Sequence, residues 1–389
     1  MSGPAAGTAA AATTTDVVCL GESMVTFLPS QPGRLADVPS FGRGIGGAES
    51  NVACALAAAG HRAAWVGRVG ADGFGDHLVE TIASYGVDTS AVRRDPARPT
   101  GVYFRTAADR GTDTHEVAYY RAGSAASAMS PENVPYEALF AGRVLHLSGI
   151  TAALSPDCLA LLRELTAPRP GRPLVSFDVN HRPHLWRGRA EDASVLLELA
   201  RRADLVFVGE DEAEEAWGIV GAEAIRAALP EPSVLVVKRG SAGATVFASE
   251  LRPGPRGAEA AAGTAAPAAS TDTAAPAASA GTAAPATSAD TVTPVPALRV
   301  DVVAAVGAGD AFAAGFLSAT LRGLPVRDRA RHGHLMAAAV LTVPGDLTDP
   351  PSRDRADRLV ALDDAAWGRL RLAPDWTTAD RAPEEVRTP

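Results

Sequence analysis

A glycine-rich turn with one acidic residue is the stretch of this sequence best suited to chemistry. It reads Gly307-Ala308-Gly309-Asp310 and joins a β-branched run ending at Val303 to a segment with helical periodicity. This order predicts a strand, a turn and a helix whose first amides converge at its positive end and bind an anion. The carboxylate of Asp310 could then take the proton of a hydroxyl, which favours phosphoryl transfer. The alternative is that Asp310 only stabilises the first helical turn.

A second glycine-rich stretch, from Gly44 to Asn51, precedes a helix of small residues that ends at Gly60. Glycines at the start of a helix allow close approach to a ligand. The spacing Gly42-x-Gly44-x-x-Gly47 also matches the dinucleotide-binding pattern. However, no clear strand leads into it and no acidic residue ends a second strand at the expected distance, so we do not predict a dinucleotide cofactor.

From Val144 onward, short apolar runs alternate with helical segments. This alternation predicts an α/β fold with a mostly parallel sheet sandwiched by helices, and ligands of such sheets bind beyond the carboxyl ends of the strands. Arg182 follows one of these strands and is predicted to grip a phosphate or carboxylate, the alternative being an ion pair with Asp178. Lys238, the only lysine of the chain, follows another strand and is not part of a Gly-x-x-x-x-Gly-Lys loop.

Two segments with strand-like alternation surround Tyr103 and Tyr119 and are joined by a polar turn. They predict a small antiparallel sheet that acts as a lid over the site. Alternation places Arg105 on the same face as Tyr103, and Arg121 on the same face as Tyr119. The alternative is a solvated face with incidental arginines. Unpaired edges of this lid predict a homo-oligomer formed through it.

Low-complexity stretches bound and interrupt the predicted domain. Residues 253–296 repeat Thr-Ala-Ala-Pro units without large apolar residues, which predicts a disordered insertion. We expect it at the tip of a hairpin between the strands Ala244–Phe247 and Leu298–Val303. The stretch up to Phe41 holds several prolines and predicts irregular or edge structure. The predicted organisation is a disordered tail (1–15), one domain (16–365) with lid strands within about 22–45 and 100–125, and a C-terminal tail (366–389).

Composition narrows the classes of partner. The formal net charge of −9 argues against nucleic acid or an anionic membrane as the main partner. The N-terminal stretch from Ser2 to Thr15 has no basic start and no long apolar run, so we predict neither a signal peptide nor a membrane span there. Three scattered cysteines, Cys19, Cys54 and Cys158, do not fit a disulfide framework or a metal site, and we expect buried thiols in a reducing cytoplasm.

From Val17 to about Leu362, the chain resembles the ribokinase-like (PfkB) sugar kinases. The stretch Gly-Gly-Ala-Glu-Ser-Asn-Val-Ala from Gly46 resembles the first signature of that family, and Gly-Ala-Gly-Asp-Ala-Phe from Gly307 resembles the second. Within the family, the chain is most similar to the kinases of 2-keto-3-deoxygluconate, a sugar acid. The resemblance implies a ribokinase-like fold with a small β-sheet lid, the cofactors ATP and Mg²⁺, and phosphorylation of a hydroxyl.

The resemblance also implies a role for individual residues. The anion hole and base would be Gly307, Ala308, Gly309 and Asp310. The sugar acid would be held by Gly47, Asn51, Tyr103, Tyr119, Tyr120, Arg121, Ile150, Arg182, Asp310 and Asp346. ATP would be held by Arg182, Gly209, Lys238, Arg239, Gly240, Ser241, Ala242, Gly243, Ala244, His334 and the residues Gly307, Ala308, Gly309 and Asp310. Glu212 would organise hydrated magnesium.

Three departures from the family pattern affect these expectations. Ala304 and Ala305 stand where an acid and a Thr or Pro are usual, which leaves the use of a monovalent cation open. Gly209 replaces an Asn ahead of Glu212, and His334 replaces an Asn on the nucleotide side. Two alternatives remain: a kinase of fructose or another neutral sugar, and a non-catalytic sugar-binding regulator on the same fold.

Overall fold

The structure, a computed structural model, describes residues 15–106, 116–188, 192–249 and 290–378. The strands of these regions are β1 (Val17–Leu20), β2 (Met24–Pro29), β3 (Phe41–Gly46), β4 (Ala63–Val66), β5 (Arg68–Gly70), β6 (Arg93–Asp95), β7 (Val102–Arg105), β8 (Val117–Tyr120), β9 (Val144–Ser148), β10 (Leu174–Asp178), β11 (Leu205–Gly209), β12 (Val234–Lys238), β13 (Ala244–Ala248), β14 (Thr291–Val295), β15 (Arg299–Val300) and β16 (Arg371–Leu372). The helices are α1 (Ala48–Ala58), α2 (Gly73–Ser84), α3 (Tyr136–Leu139), α4 (Gly149–Ala152), α5 (Pro156–Thr166), α6 (Pro183–Trp186), α7 (Ser194–Arg201), α8 (Glu210–Trp217), α9 (Ala222–Ala228), α10 (Ala308–Leu321), α11 (Val326–Leu341), α12 (Arg353–Val360) and α13 (Asp364–Arg369).

An eight-stranded sheet forms the centre, in the order β14-β13-β12-β11-β10-β9-β1-β4. The strands from β12 to β4 are parallel. At the other edge, β13 pairs antiparallel with β12, and β14 pairs antiparallel with β13. Central strands such as β11, Leu-Val-Phe-Val-Gly, are buried along their whole length because helices cover both faces of the sheet. The predicted α/β fold with a mostly parallel sheet between helices is confirmed.

The two faces of the sheet have separate apolar cores. Along β11, Val206 and Val208 belong to one core and Leu205 and Phe207 to the other, as strand alternation requires. On the second face, the ring of Phe207 meets that of Phe316 edge-on, with centroids 5.5 Å apart. This packing fixes α10 against the sheet, and with it the glycine turn at the start of that helix.

A smaller sheet, in the order β3-β2-β7-β8, forms the lid. β7 and β8 are antiparallel, as the alternation predicts. The prediction of irregular or edge structure before Phe41 is wrong for β2, which lies inside this sheet and pairs in parallel with β7. A solvated arginine face is also wrong for Arg105, which is 4 % exposed and faces the body of the protein. The position of β2 and the burial of Arg105 both follow from contacts between segments that are distant in the sequence. Local periodicity does not reveal such contacts.

The region around the predicted insertion differs from expectation. β13 pairs with Thr291–Val295 rather than with the predicted strand Leu298–Val303. Thr291–Val295 is an edge strand, where Pro294 is tolerated because its missing N–H faces no neighbour. Arg299–Val300 pairs with β16 instead, and Val302 and Val303 are outside any strand. The predicted insertion therefore extends too far at its C-terminal end, and its residues 253–289 lie outside the described parts.

The predicted C-terminal tail starts too early. Most of α13 and all of β16 lie within it, Trp367 is fully buried, and Trp376 is 6 % exposed. Residues 379–389 and the predicted N-terminal tail up to residue 14 lie outside the described chain. No helix in the described ranges is both long and apolar enough to cross a membrane.

Candidate functional site

The turn before α10 has the geometry that the glycines predict. Gly307 has a φ of 78°, in the left-handed region that favours glycine. A Cβ atom at this position would lie 2.5 Å from the carbonyl oxygen of Asp346. The turn therefore needs glycine for two reasons, and the free amides of the first helical turn stay open to an anion.

Asp310 lies in the first turn of α10 and is held by a partner from α1. Nδ2 of Asn51 donates a hydrogen bond of 2.9 Å to Oδ2 of Asp310. Burial raises the pKa of Asp310 to about 7, and the negative charge of Asp178 adds to this, although Asn51, Arg182 and Lys238 oppose it. A carboxyl group that titrates near neutrality is suited to accept a proton at physiological pH.

A cavity of about 460 Å³ lies between the lid and the carboxyl ends of the strands. Nine of the ten residues predicted to hold the sugar line it: Gly47, Asn51, Tyr103, Tyr119, Arg121, Ile150, Arg182, Asp310 and Asp346. The prediction is wrong for Tyr120, which is 66 % exposed and packs edge-on against Phe104 on the opposite face of the lid. Neighbouring residues of a strand face opposite sides, so Tyr119 and Tyr120 cannot both enter one cavity.

The carboxylate of Asp346 is bound by the lid. Arg105 donates a hydrogen bond of 2.8 Å to its Oδ1, and the hydroxyl of Tyr103 donates one of 3.2 Å to its Oδ2. Burial raises the pKa of Asp346, and the charge of Arg105 and the bond from Tyr103 work against that rise. The side chains of Arg105 and Asp346 are each 5 % exposed, so this is a buried ion pair between the lid and the body. The carboxylate of Asp346 is therefore already paired with Arg105 where it lines the cavity.

Arg121 also has an acidic partner, which the sequence did not predict. Its guanidinium group pairs with Glu22, which lies just after β1 and also accepts a 2.7 Å hydrogen bond from Ser124. The side chains of Arg121 and Glu22 are 10 % and 1 % exposed. Among the described residues, Nε of Arg121 has no hydrogen-bond partner. Part of the charge of Arg121 is thus neutralised before any ligand arrives.

The polar groups at the ends of β10 to β12 form two further pairs. Nζ of Lys238 lies 2.9 Å from Asp178, and Nη1 of Arg182 lies 3.4 Å from Glu212. The alternative in which Arg182 pairs with Asp178 is therefore wrong. Burial disfavours the charged form of Lys238, but Asp178 and Glu212 outweigh this effect and raise its pKa. The side chain of Arg182 is 44 % exposed, which makes it more accessible than Arg121.

A larger cavity of about 1490 Å³ lies on the other side of the glycine turn. It is lined by most residues predicted to hold the nucleotide: Gly209, Lys238, Arg239, Gly240, Ser241, Gly243, Ala308, Gly309 and His334. Ala242 and Ala244 are not among the lining residues, and Ala244 is buried within β13. Arg182, Gly307 and Asp310 line the smaller cavity instead. The two cavities share Glu212, Lys238, Ala305 and Gly309, so they meet at the glycine turn.

His334 and Glu212 have specific limits as ligands of a cofactor. Burial lowers the pKa of His334 to about 4, so its ring is neutral beside Phe312, whose centroid is 5.1 Å away. Oε2 of Glu212 accepts a 2.9 Å hydrogen bond from the amide of Gly209. In the described regions, no group of three or more His, Cys, Asp or Glu side chains could hold a metal ion. The donor set fits a magnesium ion that keeps water and phosphate oxygens as its main ligands.

Among the polar residues that line the smaller cavity, five were not among the predicted site residues: Glu22, Arg105, Asp178, Asn180 and His184. Arg105 alternates with Tyr103, and this shared face was the signal that could have identified it. Asn180 and His184 lie close to Arg182, beyond the end of β10. Glu22 follows the strand β1 by two residues, which is the position that ligand-contacting groups take in such sheets.

Comparison with known proteins connects this site to a family. Residues 14–261 and 274–353 match the family model described as pfkB family carbohydrate kinase. The chain is 32 % identical over 343 residues to 2-dehydro-3-deoxygluconokinase of Bacillus subtilis, covering 87 % of this chain and 94 % of that protein. It is also 32 % identical over 240 residues to fructokinase-1 of rice, Oryza sativa subsp. japonica, covering 61 % of this chain and 74 % of that protein.

Solved structures give the same fold. A PfkB protein from Polaromonas is 29 % identical and superposes with a TM-score of 0.67, covering 90 % of this chain and all (100 %) of that one. The 2-dehydro-3-deoxygluconokinase of Thermotoga maritima is 24 % identical with a TM-score of 0.67 and the same coverage, 90 % and 100 %. At that identity, the second likeness supports the fold alone.

Proposed function

The chain belongs to the pfkB family of carbohydrate kinases, and we propose that it uses ATP to phosphorylate a hydroxyl of a small sugar acid. The candidate reaction converts 2-keto-3-deoxygluconate to its 6-phosphate. The observation that carries the proposal is that Arg121 and Arg182 both line the smaller cavity, where Asp310 lies at the glycine turn. Guanidinium groups bind carboxylates through parallel hydrogen bonds, whereas a neutral sugar offers them only hydroxyls.

The residues divide the work between the two cavities. Asp310, at the junction, would take the proton of the acceptor hydroxyl, and Asn51 orients its carboxylate. The amides of Gly307, Ala308 and Gly309 would stabilise the negative charge of the transferred phosphoryl group. Lys238 pairs with Asp178 and lines both cavities. It would add positive charge near the transferred phosphoryl group. ATP supplies the phosphoryl group, and magnesium neutralises part of its phosphate charge.

Support for the cofactors comes from relatives and from the larger cavity. A sugar kinase from Pyrococcus horikoshii has been solved in complex with ATP, and an Escherichia coli putative ribokinase II with ATP and Mg²⁺. In this chain, Glu212 lines both cavities, which supports it as the carboxylate that would contact hydrated magnesium. The use of a monovalent cation stays a prediction. The side chains of Ala304 and Ala305 have no oxygen atom that could bind such a cation.

A fructokinase is the second candidate, because fructokinases match this chain about as well in identity, over a shorter length. The pairing of Arg121 with Glu22 favours it, since a partly neutralised guanidinium group selects less strongly for an anion. The test is to compare kcat/KM of the purified protein for 2-keto-3-deoxygluconate and for fructose at saturating ATP. Preference for fructose would move the assignment to neutral sugars, and absence of ATP turnover with both would favour the non-catalytic regulator.

We further propose that two copies associate through the outer face of the lid. Phe27 and Phe104 stack there with centroids 4.6 Å apart, and Phe41 and Tyr120 pack edge-on against Phe104. This half-exposed aromatic cluster adjoins the edge strand β3, so a second copy could bury it. Light scattering should give at least a dimer, and Tyr120→Arg should shift the protein towards the monomer. A wild-type monomer at working concentrations would contradict this proposal.

A cytoplasmic location is part of the same proposal. All three cysteines are buried and free in the structure. Burial raises the pKa of Cys54 to about 12 and of Cys158 to about 11, so neither thiol reacts readily. Such thiols fit a reducing compartment.

A further inference from the structure

His184 forms one of the contacts between the lid and the body at the smaller cavity. It lies on α6, just beyond Arg182 and Pro183, and lines the cavity. Its ring stacks on that of Tyr119 from β8, with centroids 5.1 Å apart and planes at 17°. Tyr119 is itself 39 % exposed, so the pair lies where a substrate enters. None of the roles considered above uses this imidazole.

The charges around His184 are mostly positive. Burial lowers its pKa, and Arg121, Arg182 and Arg187 lower it further, so the ring is neutral at neutral pH. The acids on the two sides are already engaged: Glu22 pairs with Arg121 on the lid side, and Glu212 pairs with Arg182 on the body side. A protonated His184 would therefore lie near arginines, and the acids nearby already have arginine partners.

We propose that His184 recognises the carboxylate of the substrate together with Arg121 and Arg182, and that it takes up a proton from solvent when the acid binds. The inference rests on the proposed function, because it needs an anionic substrate. Burial and repulsion by the arginines both keep the ring neutral, and a carboxylate placed among these groups opposes both effects by attracting the charged ring. The imidazolium ring can then donate a charge-assisted hydrogen bond, while its stacking on Tyr119 fixes its orientation. A neutral hexose brings no charge and causes no proton uptake.

The proposal predicts a pH-dependent defect in His184→Phe, which keeps an aromatic ring to stack on Tyr119 but cannot be protonated. At about pH 6, the KM for 2-keto-3-deoxygluconate should rise about fivefold, with a smaller effect on kcat, as expected for one charge-assisted hydrogen bond at a partly solvated site. The ratio of variant to wild-type KM should fall towards one at about pH 8.5, because the imidazole of the complex is neutral there. Titration of Asp310 is common to both enzymes and cancels in the ratio.

Two further measurements complete the experiment. The matched control is His77→Gln, because His77 lies on α2 and lines neither cavity. Its KM should equal that of the wild type at every pH. NMR of the His184 ring, identified by its loss in His184→Phe, should show a higher titration midpoint when the sugar acid is bound without ATP. Fructose should leave that midpoint unchanged.

The outcomes separate this inference from the proposed function. If the wild type uses the acid but the KM ratio is independent of pH, or the midpoint of His184 does not move, the proton-linked role is overturned and the sugar-acid assignment stands. If the wild type uses fructose and ignores the acid, both proposals are overturned, since no carboxylate then enters the cavity.

Discussion

Nδ2 of Asn51 on α1 donates a 2.9 Å hydrogen bond to Oδ2 of Asp310 on α10, although the two residues are 259 positions apart in the sequence. α1 and α10 pack against each other on the same face of the central sheet, and each begins at a glycine-rich stretch. The bond fixes the direction of the carboxylate and stabilises its ionised form. It therefore connects the two glycine elements into one site.

The first prediction concerns the base. Asp310→Asn fills the same space but cannot accept the hydroxyl proton, so turnover should fall ~10²–10⁴-fold while ATP and the sugar still bind. Steady-state kinetics and calorimetric titration check this. A variant that keeps more than about a tenth of the wild-type rate would reduce Asp310 to a helix-terminal acid.

The same variant should be more stable at alkaline pH. The native carboxyl group has a pKa raised to about 7, so the folded state holds this proton more tightly than the unfolded state does. The free energy of unfolding therefore falls as pH rises from the ordinary carboxyl pKa to about 7, and the amide removes that loss. Thermal unfolding should give a higher Tm for Asp310→Asn at about pH 8 and a smaller difference at about pH 5. An equal difference in Tm at the two pH values would contradict this prediction.

A second prediction uses Asn51 to shift the pH profile. The logarithm of kcat/KM should rise with pH and level off above about 7, because only the ionised Asp310 is a base. Asn51→Ala removes the hydrogen bond that lowers this pKa, so the profile should move to higher pH. Ser50→Ala, next to it on α1, is the control and should keep the wild-type midpoint. An unchanged midpoint in Asn51→Ala would show that another group controls the profile.

A third prediction separates the two arginines of the smaller cavity. Arg182→Ala removes the more exposed guanidinium group and should raise KM for the sugar acid without a large loss of stability. Arg121→Ala should weaken kcat/KM for the acid by ~2–4 kcal/mol and also lower the Tm, because it leaves the buried Glu22 unpaired. Arg121→Ala combined with Glu22→Gln should recover the Tm but not the KM. Equal losses for fructose and for the acid would count against recognition of the carboxylate.

The fourth prediction concerns the Ala/Pro/Thr-rich insertion. Deletion of residues 254–287 with a short connecting turn should leave rate and Tm nearly unchanged, since the segment has no large apolar side chains to bury. Deletion of residues 254–293 is the matched comparison and should lower the Tm, because it removes Thr291, Val292 and Thr293 from β14. A clear loss of Tm in the shorter deletion would show that the insertion packs on the domain.

The sequence by itself determined the features that depend on local physical chemistry. Glycine is favoured where φ is positive, as at Gly307, so this turn could be recognised from its glycines and from the helical pattern that follows it. The alternation of apolar runs and helices likewise predicted the parallel sheet and placed Asp178 and Lys238 at strand ends. Resemblance to a family supplied the roles of residues such as Asp346 that no local pattern marks.

Tertiary structure alone decided which charges meet. Lys238, not Arg182, pairs with Asp178, and Arg121 pairs directly with Glu22. Strand register and the direction of each side chain set these pairs, and both depend on packing between elements distant in the sequence. The pairing of β13 with Thr291–Val295 instead of Leu298–Val303 has the same origin, because a strand accepts whichever neighbour the rest of the fold brings to its edge.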